Sequence, residues 1–229
     1  MRKIILTLIL TLSIFLVKGQ VLLNQVDIVS PKTKKLDSIY GIDVSFYQGK
    51  IEWSKLDSNI KFVIIKSSEG IRRVDYRFQY NWDNCKITKG IYHFFRPQYS
   101  GTQQGKLFLS LTNLDSFNIR PVIDVEFTPY WFAKRNRKIA IKNLNQMVDY
   151  IESRTGVNPI IYTSVNFWNK YIKLNFNNSH TLWIADFRNQ GPPDLNWSIW
   201  QYTCKGRVSG IRQPVDKNIT FNIDTLLFK

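Results

Sequence analysis

Asp124 and Glu126 stand two residues apart in RPVIDVEFTPYW, residues 120–131, inside an apolar run that reads as a buried β-strand. Successive side chains of a strand point to opposite faces, so these two share a face and lie roughly 6.6 Å apart along it at about 3.3 Å rise per residue. Packed into a core, each charge would lose its water at a cost on the order of several kcal/mol. A strand end opening into a cleft escapes most of that cost. Two carboxylates on one stiff wall are also what glycoside cleavage uses, one protonating the leaving oxygen and the other supporting positive charge at the sugar carbon. A bare D-x-E is equally the look of a solvated strand end, so the elements around it must decide.

Those elements recur in a pattern. Strand-like runs occupy 39–45, 61–68, 90–95, 120–127, 158–164, 181–187 and 198–203, and several are apolar on both faces, as in a sheet covered on both sides. Residues 135–153 place Ile139, Ala140, Leu144, Met147, Val148 and Ile151 at helical spacing with Gly156 as a stop, and weaker helical patterns cover about 75–87, 102–114 and 164–172. Alternating strand and helix predicts an α/β fold whose parallel sheet closes into a barrel.

In such barrels chemistry gathers where the strands end on one face. Nearly every run here ends in polar or aromatic residues: Asp43 and Ser45; Lys66, Ser68 and Glu69; Tyr92 and His93; Asp124 and Glu126; Tyr162; Asp186; Gln201 and Tyr202. One such residue would mean little. Repeated on strand after strand, the feature favours a lined cleft over solvated ends.

The chain has 229 residues and opens with Arg2 and Lys3 before an apolar run from Ile4 to Val17, the layout of a secretory signal peptide over residues 1–19. Val17 and Gly19 suit cleavage before Gln20; a retained N-terminal anchor is the alternative. No cysteine follows the run to carry a lipid. Residues 20–37 show no sustained period and read as a linker, leaving residues 38–229 as one barrel-sized domain. A hydrophobic content of 44% argues against disorder.

Lys and Arg exceed Asp and Glu by 15 over the full chain, and by 12 once Arg2, Lys3 and Lys18 leave with the leader. Such a protein is drawn to polyanions, among them the acidic polymers of a bacterial envelope. A nucleic-acid binder is disfavoured, because no nucleic-acid motif and no interleaved basic and aromatic array is present. Two cysteines, Cys85 and Cys204, do not make a disulfide framework, and whether they pair stays open. His93 and His180 lie far apart and no CxxC or HExxH occurs, so neither a metal site nor a cofactor is expected.

GIDVSFYQGKIEW (41–53), FVIIKSSEG (62–70) followed by Asp75, Phe78 and Asn81, GIYHFF (90–95), PVIDVEF (121–127), TGVNPIIYTS (155–164), LWIADF (182–187), WQY (200–202) and GIRQPVDKN (210–218) together resemble the glycoside hydrolase family 25 lysozymes. The resemblance runs from about Tyr40 to Asn218. It implies a flattened, modified (β/α) TIM-like barrel that cleaves the β-1,4 bond between N-acetylmuramic acid and N-acetylglucosamine in peptidoglycan, with retention. Glu126 matches the family's general acid and Asp124 its partner carboxylate. Asp43 and Asp216 match two further acids of the cleft, and Tyr92 a tyrosine beside the reacting sugar. Lys66, Glu69, Tyr162, Trp183, Phe187, Trp200 and Gln201 are the remaining expected substrate contacts. Ser67 stands where alanine is common, and Phe187 where tyrosine is frequent, which puts one substrate hydrogen bond in doubt. The tail after Asn218 reads as an extra strand or hairpin. A non-catalytic glycan binder on the same barrel is the alternative, and the four acids argue against it.

Overall fold

A computed structural model of the chain describes residues 37–111, 113, 118–174, 176, 180–188 and 195–228. The expected leader and, apart from Asp37, the linker lie outside them. Nine strands form: β1 (Ile39–Val44), β2 (Ile60–Glu69), β3 (Arg73–Val74), β4 (Thr88–Phe94), β5 (Val122–Asp124), β6 (Ile160–Ser164), β7 (Leu182–Ala185), β8 (Ile199–Val208) and β9 (Ile211–Thr220). They join in one sheet in the order β1-β9-β8-β7-β6-β5-β4-β2-β3, and pairing of β1 with β2 closes eight of them into a barrel. β3 stays outside the closure as a hairpin on the end of β2.

The fold is the expected α/β barrel, with one difference in direction. Six neighbour pairs are parallel, but β9 runs antiparallel to both β8 and β1. The sequence signal missed β9 because IRQPVDKNIT buries only Ile211, Val215, Asn218 and Thr220, two of them polar. The expected extra strand after Asn218 reduces to the end of β9, a short 3₁₀ turn (Ile223–Thr225) and a single bridge between Ile119 and Leu227.

Strand alternation sorts the side chains into two cores. Inside the barrel, Phe62, Ile64, Val122, Ile160, Trp183 and Ile199 form one buried cluster with Ile119 and Leu226. On the outer face Ile42, Val63, Ile65, Ile91, Ile123, Ile161 and Ile184 pack under the helices. Three helices cover that face: α1 (Phe78–Asn84), α2 (Gly101–Leu109) and α3 (Lys134–Thr155), the last ending at Gly156 in the left-handed conformation. The weak pattern at 164–172 becomes one α-turn (Val165–Phe167) followed by a π-turn (Trp168–Ile172). Between β1 and β2 only short 3₁₀ turns occur, so the barrel lacks a covering helix there.

α2 and α3 approach so closely that a Cβ on Gly101 would sit 1.7 Å from the carbonyl oxygen of Asn143 and 2.6 Å from the amide nitrogen of Met147. Both obstacles are backbone, which no rotamer change relieves. Gly101→Ala is expected to destabilise the protein by about 3 kcal/mol or more, lowering Tm by roughly 6–12 °C. An unchanged thermal melt would show that the two helices do not lie this close.

Candidate active site

The apolar layers inside the barrel give way to polar ones two residues further along four of the strands. Phe62 and Ile64 are followed on the same face by Lys66, Val122 by Asp124, Ile160 by Tyr162, and Ile199 by Gln201. These polar side chains, with Asp43, Glu69, Tyr92, Glu126, Trp183, Phe187 and Asp216, line one cleft of about 520 Å³ at the carboxyl ends of the parallel strands. β5 stops at Asp124, yet Glu126, two residues beyond, still faces the cleft beside it. A larger hollow of about 1070 Å³ lies at the opposite end, by Ile60 and Thr88 where β2 and β4 begin, and holds none of the four acids.

One expected contact is placed elsewhere. Trp200 is not among the cleft residues, because alternation along β8 turns Gln201 inward and Trp200 outward; its indole donates to the Asp186 carbonyl oxygen at 2.7 Å. Other polar strand ends also serve structure. Ser68 and His93 are fully buried and hydrogen-bonded at 2.8 Å, with Gln104 of α2 on the second ring nitrogen. Ser45 caps a 3₁₀ turn (Phe46–Gln48), and Asp186 pairs with Arg188. Cys85 and Cys204 are both free, the first buried and the second exposed in the cleft. Among the described residues no group of histidine, cysteine and acids is arranged to hold a metal.

Asp43 and Asp216 are directly opposite one another in the antiparallel β1–β9 register. Asp43 Oδ2 accepts from Gln201 Nε2 at 2.9 Å and from Asn218 Nδ2 at 2.8 Å. Tyr162 donates to Gln201 Oε1 at 2.8 Å, and Trp183 Nε1 to Asn218 Oδ1 at 2.8 Å. Sequence reasoning gave Asn218 no role, though it shares a strand face with Asp216. Asp124 Oδ1 is buried with no partner among the described residues.

This crowding moves the acids in one direction. Burial, then the Asp216 charge, pushes Asp43 up to about 8. Burial and Glu126 raise Asp216 to about 6. Asp124 is lifted well above the usual carboxylate range by burial and by Glu126, and Glu126 is raised by burial. Lys66 opposes the rise at Asp124 and Glu126. Glu69 differs: burial would raise it, but hydrogen bonds from Arg96 and Lys66 hold it below its ordinary value. Arg96, which sequence reasoning passed over, thus belongs to the cleft wall along with Tyr47, Phe94 and Ser164.

Comparison with known proteins gives a consistent result. Residues 42–211 match the model of the family described as glycosyl hydrolases family 25. An uncharacterized protein, YegX, of Escherichia coli O6:H1 is 34% identical over 193 residues, covering 80% of this chain and 69% of that one. Lysozyme M1 of Streptomyces globisporus is 32% identical over 200 residues, covering 79% and 67%. The crystal structure of a bacterial lysozyme from Streptomyces coelicolor superposes with a TM-score of 0.71 at 31% identity, covering 80% of this chain and 91% of that one.

The raised acids have a consequence for stability. A carboxyl whose folded pKa exceeds its unfolded value binds its proton more tightly when folded, so its contribution is full below the ordinary value of 3.8 and is lost as pH climbs toward about 6 for Asp216 and about 8 for Asp43. The Tm of the wild type is therefore expected to fall between pH 4 and pH 8 through this pair. Asp43→Asn keeps an acceptor for Gln201 and Asn218 and removes the repulsion, and should flatten that fall. Parallel slopes for the two proteins in a differential scanning series would contradict this account of the pair.

Proposed function

The chain belongs to the glycosyl hydrolases family 25, and from that premise we propose that it is an exported muramidase cleaving the N-acetylmuramic acid to N-acetylglucosamine β-1,4 bond of peptidoglycan with retention. Membership makes it a glycoside hydrolase of the lysozyme kind. The observation that carries the finer reading is Asp124: a buried carboxyl group with an unpartnered oxygen, beside a second acid, and burial favours the protonated form of both.

In this reading Glu126 begins protonated and gives its proton to the glycosidic oxygen as the bond to the sugar carbon breaks. Asp124 Oδ1 accepts the N–H of the sugar's own 2-acetamido group. That contact orients the acetamido carbonyl oxygen for attack on the same carbon from the opposite face, closing a five-membered ring. Glu126, now a carboxylate, takes a proton from water as the water reopens the ring, so two displacements restore the original configuration. Asp43 and Asp216, sharing a proton, supply negative charge beside the developing cation, while Tyr92, Trp183 and Phe187 wall the sugar. The carboxyl separations that distinguish direct nucleophilic from water-mediated enzymes do not govern such a substrate-assisted route. Export rests on the N-terminal leader, and the excess of basic residues suits work among anionic envelope polymers.

Glu126→Gln is expected to fold normally, by circular dichroism and melting, and to lose about 10²–10⁴-fold in turnover of purified cell walls, the usual worth of a positioned general acid. Near-normal turnover would remove Glu126 from the role. Mass spectrometry of the released muropeptides should find muramic acid at the reducing end. NMR of the first-formed anomers should show β product before mutarotation, and initial α product would sink the retaining scheme.

A further inference from the structure

The catalytic groove continues past the acids. Glu69 and Arg96 line both the cleft and a second hollow of about 500 Å³, which opens between the β2–β3 hairpin and the loop after β4. Gly70, Ile71, Arg72 and Arg73 from the hairpin, and Gln98 and Tyr99 from the loop, form the rest of its wall. The hairpin turns at Gly70, whose φ of +59° places it in the left-handed region, and whose amide donates to the Phe94 carbonyl oxygen at 3.1 Å. A Cβ there would lie 3.3 Å from Arg96 Cγ. The backbone therefore holds the arginines close to the cleft.

Among the described residues Glu69 is the one carboxylate lining this hollow, and it is already engaged. Its Oε1 accepts from Arg96 Nε at 2.9 Å, from Arg96 Nη2 and, more weakly, from Arg73 Nη1 at 3.4 Å, while Oε2 accepts from Lys66 at 3.1 Å. Arg72, Arg73 and Arg96 thus share one carboxylate of the hollow, and part of that carboxylate goes to Lys66, which also answers Asp124 and Glu126 in the cleft. Arg72 makes no ion pair among the described residues. Arg96 lies over Phe94, its guanidinium carbon 4.8 Å from the ring centroid, and among the described residues Nη1 makes no hydrogen bond. A guanidinium held by an aromatic ring and by one carboxylate presents its remaining N–H groups at little entropic cost, in the fork geometry that fits a carboxylate.

A neutral sugar would leave that excess positive charge unanswered. We propose that this hollow holds the carboxylates of the peptide stem borne by muramic acid, making Arg72, Arg73 and Arg96 a specificity site for peptide-substituted glycan. The inference rests on the muramidase reading above. Because stem and sugar are one molecule, a stem seated here is delivered at high effective concentration once its glycan enters the cleft.

The test compares the wild type with the double variant Arg72→Ala/Arg73→Ala on three substrates: glycan strands bearing stems, strands stripped of stems by an amidase, and strands whose stem carboxyls have been amidated. The wild type is expected to show a kcat/KM about tenfold higher on the first than on the other two. The double variant should bring that ratio below about two, with its rate on stripped strands within twofold of wild type. Equal wild-type rates on all three substrates, or an unchanged ratio in the variant, would overturn the assignment. So would an equal loss on bare and substituted strands, which marks general attraction to polyanions. Failure of the wild type to cleave any of the three would instead defeat the muramidase reading, and the stem site with it.

Discussion

Everything in this molecule is arranged around a repulsion. Closing the barrel sets β9 against β1 with Asp43 directly across from Asp216, where like charges oppose pairing. Both lie in a cleft walled by protein, and Asp43 is only 7% exposed, so water does little to separate them. The register is unbroken for four further residue pairs, from Ile39–Thr220 to Ile42–Lys217, which leaves the aspartates no means of slipping apart. A one-residue shift would also turn every buried side chain of β9 outward. What relieves the pair is a retained proton, and Glu126, itself raised by burial, adds its charge to the rise at Asp43, Asp124 and Asp216.

The sheet tolerates this because its other layers are apolar on both sides. β2 buries Phe62 and Ile64 inside the barrel and Val63 and Ile65 outside, four side chains with no measurable exposure. At about 1.5–3 kcal/mol for each fully buried residue of this kind, a few strands built this way offset one strained mouth. Gly41 contributes by what it lacks: a Cβ there would lie 2.4 Å from the Phe62 ring. With hydrogen in its place, Phe62 fills the barrel floor four residues below Lys66 and the polar layer.

The parts of this design that were legible in the sequence are those where one physical signal dominated. Runs such as FVIIK and PVID announce strands buried on both faces, and the 3.6-residue period from Ile139 to Ile151 announces α3, whose bounds at Lys134–Thr155 differ by one or two residues from expectation. Asp43, Asp124 and Glu126 could be grouped because each ended a run, whereas Asp216 joined them only through the family resemblance. β9 was illegible because its inward residues are polar where they line the cleft, so no apolar alternation remained to mark it. Trp200 was misplaced for a related reason: WQY names the strand but not which of its residues faces in, and only the pairing of Gln201 with Asn218 settles the phase. The arginine hollow has no sequence signature, since Arg72 and Arg96 are brought together by the β2–β4 pairing and not by spacing.

The hydrogen-bond chain behind the acids has a direction, and it begins at an indole on the cleft wall. An indole nitrogen can only donate, so Trp183 fixes Asn218 with Oδ1 toward the indole and Nδ2 toward Asp43. Asp43 Oδ2 is then an acceptor, which draws Nε2 of Gln201 and turns Oε1 of Gln201 toward Tyr162. The phenolic proton is committed to that oxygen. Tyr162 also bears on Glu126, where its hydrogen bond works against burial and lowers the carboxyl. With the phenolic proton committed to Gln201, less of that support reaches the Glu126 carboxylate, and the rise that burial causes stands. A donor-only ring five side chains back along the chain therefore bears on how strongly Glu126 holds its proton.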